Sequence, residues 1–270
     1  MEHLNLSGRH IMTILNITPD SFFEGSRTPQ RAAIADRVRE AVAAGATIID
    51  VGGYSSRPGA DDVSMEEEWQ RVELGVSVVR EVAPEVAISV DTFRSEVARR
   101  VVEQFGRVVI NDITAGEADD EMFGVVAKYE LPYVAMHMRG TPQSMQSMVS
   151  YDNVVDEVVE YFKNKITELK KAGVKEIILD PGFGFAKSVE QNYELMKGLS
   201  KLCDLGYPVL VGVSRKSMIY KVLESTPDDA LAGTIALNWE SLRQGATILR
   251  VHDTHEAVQT LRIFEKYNEA

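Results

Sequence analysis

"RHIMTILNITPDSF", residues 9 to 22, decides between two folds. An apolar run ends at Asn16, and the chain then breaks at Thr18-Pro19-Asp20. An open doubly wound sheet wants a glycine-rich turn after its first strand, and "NITPDSF" is not one. Further along, short runs rich in Val and Ile recur: "TIIDVG", "VAISVD", "RVVIND", "PYVAMHM", "KEIILDP", "YPVLVGV" and "TILRVH". They are nearly continuously apolar, as strands buried on both faces should be. Helical patterns lie between them, over 30–44, 66–83, 94–105, 119–130, 152–172, 188–203, 227–244 and 254–267. Glycines close several of these: Gly45, Gly106, Gly173, Gly206 and Gly245. Eight strand-helix units with no spare element predict an α/β fold, a single (β/α)8 TIM barrel with long loops after strands 1 and 2. With no linker and no shift in composition, one domain over 1–270 is expected.

The 270 residues are 44% hydrophobic and 26% charged, ordinary for a chain with a sizeable core. No apolar stretch approaches the roughly 20 residues that cross a bilayer. "MEHLNLSGRH" has no basic segment followed by an apolar one, so no secretion signal is expected. The one cysteine, Cys203, excludes an internal disulfide and fits a reducing, cytoplasmic setting. It falls on a helix, where an inert, partly buried thiol is expected. The formal net charge of −12, with no basic stripe, argues against nucleic acid. A small anion can still bind where a few cations converge in one cleft.

Nearly every strand ends in a group that donates or accepts: Asn16, Asp50, Asp91, Asn111 with Asp112, His137, Asp180, Ser214 to Ser217, and Arg250 with His252. In a parallel barrel these ends share one rim, where barrel enzymes keep their active sites. Any one of them alone reads as a turn former. "GVSRKS" and "LRVHD" bring cations to the loops after strands seven and eight, the usual phosphate site of this fold. An anionic, phosphorylated ligand is expected there, helped by a helix N-terminus. Asp91 and Asp180, with Asn111, suit the donor edge of a flat polar heterocycle, and Lys216 suits a ring carbonyl. The acids and His137 form no compact zinc motif. Magnesium held mainly by a substrate's phosphates, with one or two protein oxygens, is consistent with the pattern. "TPDSFFEGS" and "GGYSSRPGADDVS" are long loops with Gly and Pro and read as lids. Phe22 and Phe23 in the first mark binding rather than core. "DDVSMEEEW" reads as a helix start with acids in its first turn. "HMRGTPQSMQSM" reads as flexible packing.

In order along the chain, "ILNITPDSF", "DVGGYSSRPGA", "ISVDTF", "INDITAG", "MHMRGTPQSM", "ILDPGFGF", "VLVGVSRKSMI" and "ILRVHD" resemble the dihydropteroate synthase family, a folate-pathway family inhibited by sulfonamides. The resemblance covers essentially the whole chain. It implies a TIM-barrel enzyme, commonly a homodimer, using magnesium. The implied reaction joins 6-hydroxymethyl-7,8-dihydropterin pyrophosphate to p-aminobenzoate, giving 7,8-dihydropteroate and pyrophosphate. By the same resemblance Asp91, Asn111, Asp180 and Lys216 hold the pterin ring, in a pocket lined by Met136, Phe185 and Gly212. Asn16, Arg250 and His252 hold pyrophosphate, with magnesium near Asn16. Phe22, Ser56, Pro58, Phe185, Lys216 and Ser217 surround p-aminobenzoate, Arg57 comes over the site as the second loop closes, and Glu24 lies in the first lid. Catalysis falls to Asn16, Asp91, Lys216, Arg250 and His252, by a dissociative substitution.

Some positions depart from the family pattern. Glu24 stands for a usual Asp, Tyr54 and Ser56 for Glu and Thr, Val213 for Thr and Tyr220 for Gly. The lid departures bear on rate and on sulfonamide affinity. The alternatives are a pterin-binding methyltransferase barrel and a non-catalytic pterin-binding relative. The "SSRPG" lid and the Arg250–His252 pair argue against the first, and the presence of both lid and anion residues argues against the second.

Overall fold

In the computed structural model, which describes residues 8–17, 27–54, 63–141 and 144–269, the first strand β1 runs His10–Asn16. Seven more follow: β2 (Ile48–Gly52), β3 (Ala87–Asp91), β4 (Val109–Asp112), β5 (Tyr133–Met136), β6 (Ile177–Asp180), β7 (Leu210–Val211) and β8 (Ile248–Val251). All paired strands are parallel, in the order β6-β5-β4-β3-β2-β1-β8-β7. A single bridge, Leu179 to Val209, joins β6 to β7 and nearly closes the barrel. β7 is shorter than "YPVLVGV" suggests, and Pro208, which has no N–H to give a ladder, stands just before it.

Period-two alternation sorts each strand into two faces. The inward floor takes one residue from every strand: Met12, Ile48, Ala87, Val109, Val134, Ile178, Leu210 and Ile248. Burying one of the larger of these contributes roughly 1.5–3 kcal/mol. Two residues onward the same file holds Ile14, Asp50, Ser89, Asn111, Met136, Asp180, Gly212 and Arg250, so the interior turns polar toward the C-terminal rim. Outward residues such as Leu15, Val51, Val90, Ile110 and Leu249 pack beneath the helices.

The helices are α1 (Arg27–Ala44), α2 (Met65–Val82), α3 (Ser95–Phe105), α4 (Met122–Lys128), α5 (Val154–Lys171), α6 (Val189–Lys197), α7 (Leu199–Cys203), α8 (Ser217–Tyr220), α9 (Leu231–Arg243) and α10 (Thr254–Glu269). Ser64 caps α2 by accepting from the Glu67 N–H at 3.2 Å. Ser188 and Gln191 form a capping box on α6. The single helix expected over 188–203 breaks at Gly198. A side chain there would meet Val155 of α5 at 2.6 Å. Among the described residues no helix is long and apolar enough to cross a membrane.

Candidate active site

Strand register sets the rim. Asn16 pairs with Gly52, Gly52 with Asp91, and Asp91 with Asn111, so the four stand side by side on the inward face. Beside the Asn16 strand, Arg250 rises from β8 and reaches over the barrel interior. Its Nε donates to Asp50 Oδ2 at 2.7 Å and its Nη2 to Asp91 Oδ2 at 2.7 Å. Asn111 Nδ2 donates to the same Asp50 at 3.2 Å. Asp50 has no exposed side-chain surface, whereas Asp91 and Arg250 keep 18% and 20% of theirs, so a ligand in the mouth reaches these two and not Asp50. Burial pushes the Asp91 carboxyl up to about 7, and Arg250 opposes that. Asp50, expected only as one of the polar strand ends, is the residue of this cluster to which the sequence assigns no role. Its signal was its file: it stands two residues above the floor on β2, as Arg250 does on β8.

Asp180 and Lys216 face each other from the other side. Burial raises Asp180, with Lys216 opposing, and lowers Lys216 to about 8, with Asp180 opposing. Lys216 Nζ donates to the Phe183 carbonyl at 2.6 Å and lies 4.8 Å from the centre of the Phe185 ring. A side chain at Gly212 would stand 3.8 Å from Arg250 Cβ and 3.9 Å from Lys216 Nζ, so this glycine keeps the space between the two cations open. Met136 lies beneath, packed with Ile113, Met138, Met145 and Ala186, with Phe185 and Phe93 against the cluster. The Met-rich segment is therefore part of the pocket wall. Asp180 Oδ1 accepts from the Gly182 N–H at 2.8 Å, which fixes the first turn of the loop after β6.

At the rim, Ser214 Oγ stands 3.2 Å from His252 Nδ1 and also accepts from the His252 backbone N–H at 3.2 Å. Ser217 opens α8, a single turn. Two rim cations or bases turn away from the mouth. Arg215 makes a bidentate pair with Asp253 at 2.8 and 2.9 Å and donates to the Pro227 and Asp228 carbonyls, so it braces the rim rather than serving an anion. His137 is buried against Lys187. Glu68, one of the first-turn acids of α2, has no exposed side-chain surface: it pairs with Arg94 at 2.6 Å and accepts from Thr92 at 2.5 Å. The expected contributions of Phe22, Glu24, Ser56, Arg57 and Pro58 lie outside the described residues.

Carboxylates and an amide facing a lysine, with an arginine beside them, make a pocket for a flat heterocycle carrying an anionic tail. The family model described as pterin binding enzyme matches residues 12–252, and the chain is of that class, a pterin-binding barrel. It is 44% identical over 269 residues to the dihydropteroate synthase of Escherichia coli (strain K12), covering 97% of this chain and 93% of that one. A dihydropteroate synthase from Synechocystis is 39% identical over 257 residues, covering 94% and 88%. The solved Xanthomonas albilineans dihydropteroate synthase with 4-aminobenzoic acid superposes with a TM-score of 0.89 at 35% identity, covering 99% and 96%. The Yersinia pestis enzyme in a sulfonamide drug complex gives 0.89 at 38%, covering 99% and 97%. The chain belongs to the dihydropteroate synthase family.

Proposed function

We propose that this protein condenses 6-hydroxymethyl-7,8-dihydropterin pyrophosphate with p-aminobenzoate, giving 7,8-dihydropteroate and pyrophosphate, and that sulfonamides compete with the second substrate. The observation that carries this reading is one mouth holding Asp91, Asn111 and Asp180 opposite Lys216, with Arg250 between. Relatives solved with 4-aminobenzoic acid and with 7,8-dihydropteroate support it.

In this reading Asp180 accepts from the donor edge of the pterin and Lys216 donates to its carbonyl side. Asp91 and Asn111 take further ring contacts, and Met136, Phe185 and Gly212 line the pocket. Arg250, His252 and Asn16 hold the pyrophosphate. The bond from the pterin methylene to the leaving oxygen breaks first, its electron pair going to pyrophosphate, whose growing charge Arg250 and His252 stabilise. The electron-rich pterin carries the resulting cation, and the aniline nitrogen then attacks and loses a proton. Ser217, Lys216, Phe185 and the residues Phe22, Glu24, Ser56, Arg57 and Pro58 serve p-aminobenzoate and closure.

Among the described residues no three His, Cys, Asp or Glu converge as a metal cage. A substrate-borne magnesium fits: a side chain at Gly52 would sit 3.2 Å from Asn16 Oδ1, so the absent Cβ leaves that oxygen accessible. Asn16 would hold the ion, which when bound adds positive charge to the leaving group. The same reading has one barrel domain over 1–270 and a cytoplasmic homodimer. Ile263 and Tyr267, 64% and 71% exposed on α10, offer an apolar face for self-association.

The test is incubation with both substrates and magnesium, with detection of dihydropteroate and pyrophosphate. Folded protein giving neither product would overturn the reading. Chelation by EDTA should abolish turnover, and light scattering should report twice the 30.0 kDa chain mass.

A further inference from the structure

Lys187 is 5% exposed and belongs to no group so far assigned. It follows the loop "PGFGFA", residues 181–186, whose backbone takes positive φ at Gly182 (70°), Gly184 (81°) and Ala186 (49°). Three left-handed residues in alternation do not hold themselves, least of all one with a Cβ. Lys187 Nζ reaches back into this loop. It stands 3.0 Å from His137 Nδ1, 3.0 Å from the Gly182 carbonyl and 3.1 Å from the Phe185 carbonyl. As the ammonium, Lys187 has three N–H donors, and they meet three acceptors.

The acceptors are suited to the task. Burial first, then the charges of Lys187 and Arg139, lower His137 to about 2, so its ring is neutral, and an ammonium partner, which can only donate, selects the tautomer in which Nδ1 accepts. Burial also lowers Lys187 to about 7, opposed by Asp180 and assisted by Lys216 and Arg139. Two further loop groups are tied to residues outside the loop. Tyr151 donates its hydroxyl to the Ala186 carbonyl at 3.0 Å, and Asn192 Oδ1 accepts from the Gly184 N–H at 2.7 Å. The two groups the loop presents to the mouth are the Phe183 carbonyl, 2.6 Å from Lys216 Nζ, and the Phe185 ring, 4.8 Å from it.

We propose that Lys187 is a positioning residue of the pterin pocket: by donating to His137, Gly182 and Phe185 it holds the 181–186 loop in the conformation that aims Lys216 and the Phe185 ring at the bound heterocycle. The inference rests on the assignment of Lys216 and Asp180 to the pterin. Lys187 touches no substrate and acts through the loop, so its loss must be coupled to the loss of what the loop presents.

The test uses the full chain and 6-hydroxymethylpterin as probe, with calorimetric Kd. Lys187→Met keeps the buried stem and deletes the donors. It should weaken pterin binding at least about tenfold, the scale of losing hydrogen bonds to a charged group. In a double-mutant cycle with Phe185→Ala the two losses should be markedly less than additive. A Kd within twofold of wild type, or fully additive losses, overturns the proposal. If Lys187→Met does not fold, the pair His137→Leu and His137→Asn decides. Asn restores an acceptor near the position of Nδ1 and should recover binding that Leu loses, and equal behaviour overturns the proposal. Wild-type protein that fails to bind the probe refutes the pterin assignment itself, a result separable from either outcome above.

Discussion

Arg250 shows how a residue's partners decide its chemistry. A lone arginine at a strand end reads as an anion site, but this one is ion-paired to Asp50 and Asp91 at 2.7 Å each. Asp50 therefore positions the guanidinium from below, and also receives Asn111. Asp50→Asn removes the charge that orients Arg250. Hydrogen bonds to charged groups are worth about 1.5–3 kcal/mol, so kcat/KM should fall by roughly 10- to 100-fold. Steady-state kinetics check this, and an unchanged value would mean that Asp91 alone sets Arg250. Cys203 makes the opposite case: it is partly buried on α7, as expected. Burial pushes its thiol up to about 11. Alkylation by iodoacetamide should be slow near neutrality and speed up about tenfold per pH unit until that value, because only the thiolate reacts. A rate already flat above pH 9, followed by mass spectrometry, would contradict it.

At the scale of elements, the loop after β6 carries the sharpest constraint. Gly182 has φ 70°, and a Cβ on it would fall 2.0 Å from the His137 carbonyl oxygen. Left-handed strain of about 1–2 kcal/mol and a backbone clash of similar size add. Gly182→Ala should destabilise the protein by about 2–5 kcal/mol in urea titration and abolish pterin binding. Loss of less than 1 kcal/mol would show that the loop yields. The eight strand-helix units were legible because buried parallel strands and amphipathic helices print their periods locally. So was most of the rim, since Asn16, Asp50, Asp91, Asn111, Asp180 and Arg250 fall at the inward phase of their strands, whereas His137 falls at the other. Three features were not legible. The break at Gly198 answers to Val155, more than forty positions earlier in the chain. Glu68 looked like an ordinary first-turn acid, yet its partners Thr92 and Arg94 lie on the next strand's exit. Lys187 passed unremarked because His137, its acceptor, is fifty residues distant. Partnerships of that range leave no periodic trace.

The whole molecule divides its labour by height. The floor, Met12 to Ile248, is apolar and comes from all eight strands, while chemistry is confined to the rim above. Stability and activity should therefore separate. Ile178→Ala, at a fully buried floor position, should cost about 2–5 kcal/mol in denaturant titration and leave both Michaelis constants unchanged at a temperature where the variant stays folded. A shifted KM for the pterin substrate would show that floor and rim are coupled.

The carboxylates flanking Arg250 have a consequence for what the mouth refuses. In a chain of net charge −12, a bare diphosphate must compete with Asp50 and Asp91 for the guanidinium and gains little by succeeding. A ligand whose heterocyclic edge donates to Asp91 offers that carboxylate a substitute partner as its own phosphates arrive. Admission then works as a logical conjunction of ring and tail. Cellular pools of phosphate and free diphosphate meet only one of the two conditions, and a barrel that is electrostatically hostile to bare anions stays available for an anion that brings the right ring with it.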